Sequence, residues 1–199
     1  MSSKTVQPLE IAGIIIEPGT RQTVEIPVAS LYTHTRIGLP AYVIHGKKPG
    51  PCLFVSAAIH GDEINGVEII RRLCMKKALK DLRGTLIAIP VVNMFGLLQH
   101  SRYLPDRRDL NRSFPGSSKG SLAARLAHIF METIVRKCDY GIDLHTGAIH
   151  RSNLPQIRAK LDDDETQRLA KSFGVPVIIN SDVLFPVSRS PSKKKIAFS

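Results

Sequence analysis

The clearest pattern in the chain begins at residue 52. The stretch 52–59 (CLFVSAAI) is almost continuously apolar, as expected of a strand buried on both faces. Directly after it, Ile64, Val67, Ile70, Leu73 and Cys74 recur at helical spacing. Residues 85–93 (TLIAIPVVN) repeat the buried-strand pattern, and 140–145 (YGIDLH) and 175–180 (VPVIIN) give two further short strands. Between them, Ser121 is placed to cap a helix striped by Leu122, Leu126, Ile129, Phe130 and Ile134. Residues 162–173 are acidic first and basic last and are followed by Gly174, as a helix prefers. Before residue 51 the pattern differs. The stretches 11–16, 21–28 and 41–45 suggest short antiparallel strands separated by turn residues. The alternation of strands and helices from residue 51 onward predicts an α/β fold. Its core is a doubly wound, mostly parallel sheet with helices on both faces, preceded by the short N-terminal antiparallel strands.

Residues 94–120 break the pattern. They are long, rich in Gly, Pro and Arg, and apolar only in patches. A loop of that length inside a compact domain is usually functional or disordered. The last segment, 187–199 (VSRSPSKKKIAFS), is low in complexity and has no evident partner, so residues 183–199 are expected to form an exposed basic tail.

Composition narrows the class. The chain has 199 residues, 43% hydrophobic and 23% charged, enough for one domain with a substantial core. Aromatic residues are 6% and Trp is absent, so the core rests on aliphatic side chains. The formal charge is +11. A basic chain invites a nucleic-acid reading. No nucleic-acid motif accompanies the charge, and apart from the tail the basic residues are spread along the chain, so attraction of small anionic substrates accounts for it as well. Cys52, Cys74 and Cys138 are odd in number and far apart, with no CxxC pair. They form no disulfide framework, Cys74 and Cys138 suit small buried hydrophobes in helical patterns, and a reducing compartment is expected. The N-terminus lacks the apolar core of a signal peptide, and no apolar run approaches a membrane span. A cytoplasmic protein without a membrane partner is expected.

In open α/β sheets, ligands bind beyond the carboxyl ends of the strands. Three predicted strands deliver polar residues there: His60 after the first, Asn93 at the end of the second, and Asp143 with His145 at the end of the third. His60 and Glu63 stand three apart at a strand-to-helix turn, a spacing that can aim an imidazole and a carboxylate at one point. With His145 they make a set of two nitrogens and one carboxylate, which suits catalytic zinc with a fourth position left for water. HxxE alone is a weak signal, and a lone His at a strand end is more often a satisfied polar residue. The arrangement is not HExxH, so Glu63 would be a ligand rather than a base. Asp143 can orient a ligand imidazole, and Asp62 is explained as well by the helix dipole. In the loop, Asn111 and Arg112 form a compact pair able to grip a carboxylate, whereas Arg107 and Arg108 suit a solvated surface.

The motifs HGDE, RDLNRSFPG and DLHTG, in this order and at these separations, resemble the succinylglutamate desuccinylase/aspartoacylase family. The resemblance spans roughly residues 40–182. It implies a zinc carboxypeptidase-like (phosphorylase/hydrolase-like) fold and one Zn2+ held by His60, Glu63 and His145. It also implies a substrate carboxylate or carbonyl bound by Asn111 and Arg112, with Arg102 matching the arginine upstream of that pair. The activity implied is hydrolysis of the acyl-amide bond of a small anionic N-acyl amino acid, with peptide carboxypeptidase activity as the alternative. In the family a glutamate on a later strand acts as general base, some sixty residues after the second zinc histidine, and a small β-rich C-terminal domain follows. The chain therefore resembles a member truncated at the C-terminus: residues 1–182 as an incomplete catalytic domain, 183–199 as the tail, and no β domain. That leaves a second expectation, a metal-binding fragment that turns nothing over.

Overall fold

The computed structural model describes residues 5–30, 32–181 and, for the backbone alone, 194–198. Ten strands and four helices are present among them: β1 (Leu9–Ile11), β2 (Ile14–Ile16), β3 (Arg21–Ser30), β4 (Arg36–His45), β5 (Lys48–Ala57), α1 (Asn65–Cys74), β6 (Arg83–Ile89), α2 (Met94–Leu98), α3 (Leu122–Thr133), β7 (Tyr140–Leu144), β8 (Gln156–Ala159), α4 (Asp164–Ser172), β9 (Val177–Asn180) and β10 (Lys194–Phe198). β1 and β2 form a hairpin, and the other eight make one sheet in the order β3-β4-β6-β5-β7-β10-β8-β9. Its centre, β6-β5-β7-β10, is parallel. β4 joins β6 antiparallel and β3 joins β4 antiparallel, so these N-terminal strands extend the main sheet.

The strand period of two explains how one sheet serves two helical layers. Along β5 and β6, Phe54, Ile87 and Ile89 face a core shared with α3, through Leu126, Ala127 and Phe130. Val55, Ala57, Leu86 and Ala88 face the other side, where Ile70 of α1 packs. Phe54 and Phe130 meet edge to face at 5.8 Å. Ser121 caps α3, its Oγ accepting from Ala124 N at 3.2 Å. The hairpin closes the α3 side with Ile11 and Ile16, both fully buried.

Three expectations are corrected. Residues 11–16 are not one strand: Ala12 and Gly13 take positive φ and fold the stretch into the β1–β2 hairpin. The strand at 175–180 does not continue the parallel set. β9 pairs parallel only with β8, which runs antiparallel to β10. β8 was not expected: Gln156 and Arg158 alternate with Ile157 and Ala159, but over only four residues. Finally, the segment expected to lack a partner element supplies one in part. β10 lies between β7, to which it is parallel, and β8, to which it is antiparallel. A five-residue strand is held by the two backbone edges beside it, and those edges are remote in sequence. The remainder of the expected tail, 183–193 and 199, lies outside the described residues.

Candidate metal centre

β5 and β7 pair with Ala57 opposite Leu144, so the two strands end level at the same edge of the sheet. This register sets the site. The chain leaving β5 turns through His60 and Glu63 into α1, and the chain leaving β7 carries His145 one residue beyond it. The turn after β5 is held from outside by the segment that follows β6. Asn93 N donates to Ala58 O at 2.9 Å. The Asn93 side chain donates to Ile59 O at 3.2 Å and accepts from Gly96 N at 2.8 Å, capping α2. Gly61 N donates to Ser101 O at 3.0 Å. Gly61 lies so close to α2 that a Cβ there would stand 1.9 Å from Gly96 C, which is why the turn has no side chain at this position.

His60, Glu63 and His145 come together, each offering a ligand atom within 4.8 Å of the others. Glu63 is the hub. Its Oε1 lies 2.7 Å from His60 Nδ1, and its Oε2 lies 2.8 Å from His145 Nδ1 and accepts from Thr146 N at 3.1 Å. The outward nitrogens meet carboxylates: Asp109 Oδ1 is 3.1 Å from His60 Nε2, and Asp143 Oδ2 is 2.7 Å from His145 Nε2. Asp143 is fixed in turn by Ser56 Oγ, which donates to its Oδ1 at 2.8 Å. Arg102 donates to Asp109 Oδ2 at 3.0 Å and to Glu63 Oε1 at 3.4 Å. His60 and Glu63 are 2% and 3% exposed, so these charges face one another rather than water.

The carboxylates favour positive charge in the cluster. Burial works against the charge on Glu63, but hydrogen bonds from His145 and His60 outweigh it and hold the carboxyl well below its usual range. Burial likewise opposes charge on His145, yet Asp143 and Glu63 push its pKa up to about 10. His60 is raised, burial being outweighed by Asp109 and Glu63. Asp109 falls to about 2, because His60 and Arg102 overcome its burial. Three carboxylates thus surround two imidazoles, with Arg102 the cation that reaches them. Two imidazole nitrogens and a carboxylate, each imidazole backed by a further carboxylate, are a donor set suited to zinc.

Among the other predicted site residues, Arg102 enters the cluster directly. Asn111 sits in a short 3-10 turn, Leu110–Arg112, immediately after Asp109, whose Oδ1 accepts from Asn111 N at 2.8 Å. The Asn111 side chain is buried, and its Oδ1 has no hydrogen-bond partner. Arg112 shares the turn, its backbone N donating to Asp109 O at 3.0 Å, and is exposed. Asp62 does not join the cluster; it is half-buried with an unpartnered Oδ1. Asp109 was missed as a site residue. It stands 49 residues from His60 in a run of mixed charges, and its place in RDLNR beside the Asn–Arg pair was the available clue.

Residues 49–187 match the family model for the succinylglutamate desuccinylase/aspartoacylase catalytic domain. Over 136 residues, 65% of this chain, the sequence is 34% identical to an N-alpha-acetyl-L-2,4-diaminobutyric acid deacetylase of Halomonas elongata. Among solved structures, a succinylglutamate desuccinylase/aspartoacylase from Rhodobacter sphaeroides superposes with a TM-score of 0.80 at 25% identity, over 90% of this chain and 57% of that one. The product-bound ectoine utilization protein EutE (DoeB) of Ruegeria pomeroyi gives 0.74 at 25% identity, over 90% and 58%. The chain spans 40% of the Halomonas relative's length and under three fifths of either structure.

Proposed function

The chain belongs to the succinylglutamate desuccinylase/aspartoacylase family, and from that premise we propose that its domain is a zinc-dependent deacylase of small N-acyl amino acids, working in the cytoplasm. The observation that carries this reading is the buried cluster itself: His60 and His145 turn Nδ1 toward one shared carboxylate, Glu63, and Nε2 toward two others. His60, Glu63 and His145 would hold the ion. A zinc ion there supplies Lewis-acid polarisation of an acyl carbonyl and a water of lowered pKa.

The chain's own residues account for the remaining binding and orientation. Asp109 and Asp143 fix the ring orientations of His60 and His145. Arg102, anchored on Asp109 and Glu63, brings positive charge to the mouth of the cluster, where an acyl oxygen gaining negative charge is stabilised. Asn111, held beside Asp109, is placed to meet a substrate carboxylate or carbonyl with its amide. Arg112, exposed beside it, is available to pair with a substrate carboxylate. A substrate with one anionic end and an acyl amide satisfies these groups. The activity in the Halomonas relative's name, deacetylation of N-acetyl-diaminobutyrate, is of this kind.

One observation favours a second reading. Each of the three carboxylates at the cluster is already engaged with an imidazole, so none of the three is left free to accept a proton from water. In this reading the chain binds zinc without turnover. Zinc content and hydrolysis together decide. We expect near-stoichiometric zinc in the purified chain and its loss in His60→Ala, with cleavage of N-acetyl amino acids above a His145→Ala control. Zinc without cleavage supports the second reading, cleavage of peptides in preference to N-acyl amino acids shifts the assignment to a carboxypeptidase, and no zinc in the unsubstituted chain would sink both metal readings.

A further inference from the structure

The fold also brings together two thiols, remote from the metal cluster. Cys52 lies on β5, and Cys138 stands two residues before the start of β7. Their Sγ atoms are 3.3 Å apart. Two backbone bonds fix the segments against each other. Asp139 N donates to Cys52 O at 2.8 Å, and Cys52 N donates to Asp139 Oδ2 at 2.8 Å. Strand spacing and rise put Cα atoms one residue off register about 6 Å apart, inside the roughly 4.4–6.8 Å span of disulfides. Closing the sulfurs from 3.3 Å to about 2.05 Å asks each to move by roughly 0.6 Å.

Access is graded. Cys138 is fully buried, whereas Cys52 is half-buried and follows the exposed stretch 48–51. Cys74 packs on the opposite face of the sheet, against the core shared with α1, and cannot reach either partner.

We propose that Cys52 and Cys138 are a modification site, where a low-molecular-weight disulfide of the oxidised-glutathione type installs an intramolecular bond that clasps β5 to β7. The Cys52 thiolate attacks one sulfur of RSSR, forming a mixed disulfide and releasing RS−. Cys138 then attacks Cys52 Sγ, its proton passing to the departing sulfur, and the second RSH leaves. The two protein thiols lose two electrons and two protons, and RSSR takes up both to become two RSH. The bond closes a loop between residues 86 apart in sequence, which restricts the unfolded chain more than the folded one. It lies at the base of the two strands whose far ends carry the metal ligands. From Cys52 to Ala57 is about 17 Å along the strand, so the clasp stabilises the scaffold without touching the cluster.

The test is to incubate the folded full chain with oxidised glutathione, alkylate remaining thiols in denaturant, and map the peptides by mass. The expected product is a Cys52–Cys138 cross-linked peptide with Cys74 alkylated. Its Tm should rise by about 5 °C or more, reversed by reductant. In Cys138→Ser, Cys52 should carry a single glutathione adduct and the Tm gain should vanish. Alkylation of both Cys52 and Cys138, a cross-link that forms only after denaturation, or an oxidised chain with unchanged or lower Tm would each overturn the proposal. The map of the unsubstituted chain needs no variant, so a Cys138→Ser chain that fails to fold leaves the test intact.

Discussion

The residues around Glu63 divide by what each one touches. His60 and Glu63 stand three apart beyond one predicted strand and His145 at the end of another, and that spacing and placement drew attention to them. Asp109 and Asp143 reach the outer nitrogens of the two rings, and ring-backing carboxylates of this kind typically matter 10–100-fold in metal affinity. Asp109→Ala is therefore expected to weaken zinc binding by about 10–100-fold, measured by competition against a chromophoric chelator, and unaltered affinity would remove Asp109 from the site. Of the two, Asp143 was legible because it sits two residues before His145 in the chain. Asp109 was not, because an acid flanked by arginines in a loop looks solvated until the loop's path is known.

At the scale of elements, the strand-to-helix turn after β5 depends on what packs on it. Gly61 meets the backbone of α2, and Asn93 ties the two segments with two hydrogen bonds while capping α2 with a third. Gly61→Ala places a methyl group against Gly96 C, and α2 must shift to admit it. Overpacking of this kind costs about 1–3 kcal/mol, so the variant should unfold at lower denaturant and bind zinc more weakly. Stability and zinc affinity both equal to those of the unsubstituted chain would show that the turn is not held by this contact. Helix patterns survive in sequence because 3.6-residue periodicity is local: α1, α3 and α4 were expected at their observed places. Short strands fare worse. β8 and β10 have four and five residues, and what makes them strands is the neighbour on either side.

For the whole molecule, β10 is the element with the largest consequence. It occupies the slot between β7 and β8, so its removal exposes two backbone edges beside the strand that carries Asp143 and leads to His145. Deleting residues 182–199 is expected to abolish cooperative unfolding or leave the chain aggregated, followed by circular dichroism and size-exclusion chromatography. A deletion that melts like the full chain would mean the segment is the dispensable tail its composition suggests. Charge is likewise resolved only in three dimensions: the excess of basic residues says nothing of the acidic cluster at the sheet edge, which draws Arg102 inward. The sequence by itself determined the α/β class and the buried central strands and singled out His60, Glu63 and His145 as candidate donors, because hydrophobic period and motif spacing are properties of neighbouring residues. The tertiary structure alone decided the order of the strands, the meeting of His60 with Asp109 and the approach of Cys52 to Cys138. Each of those depends on which remote backbone edges pair, and pairing is a free-energy choice made by the whole chain at once.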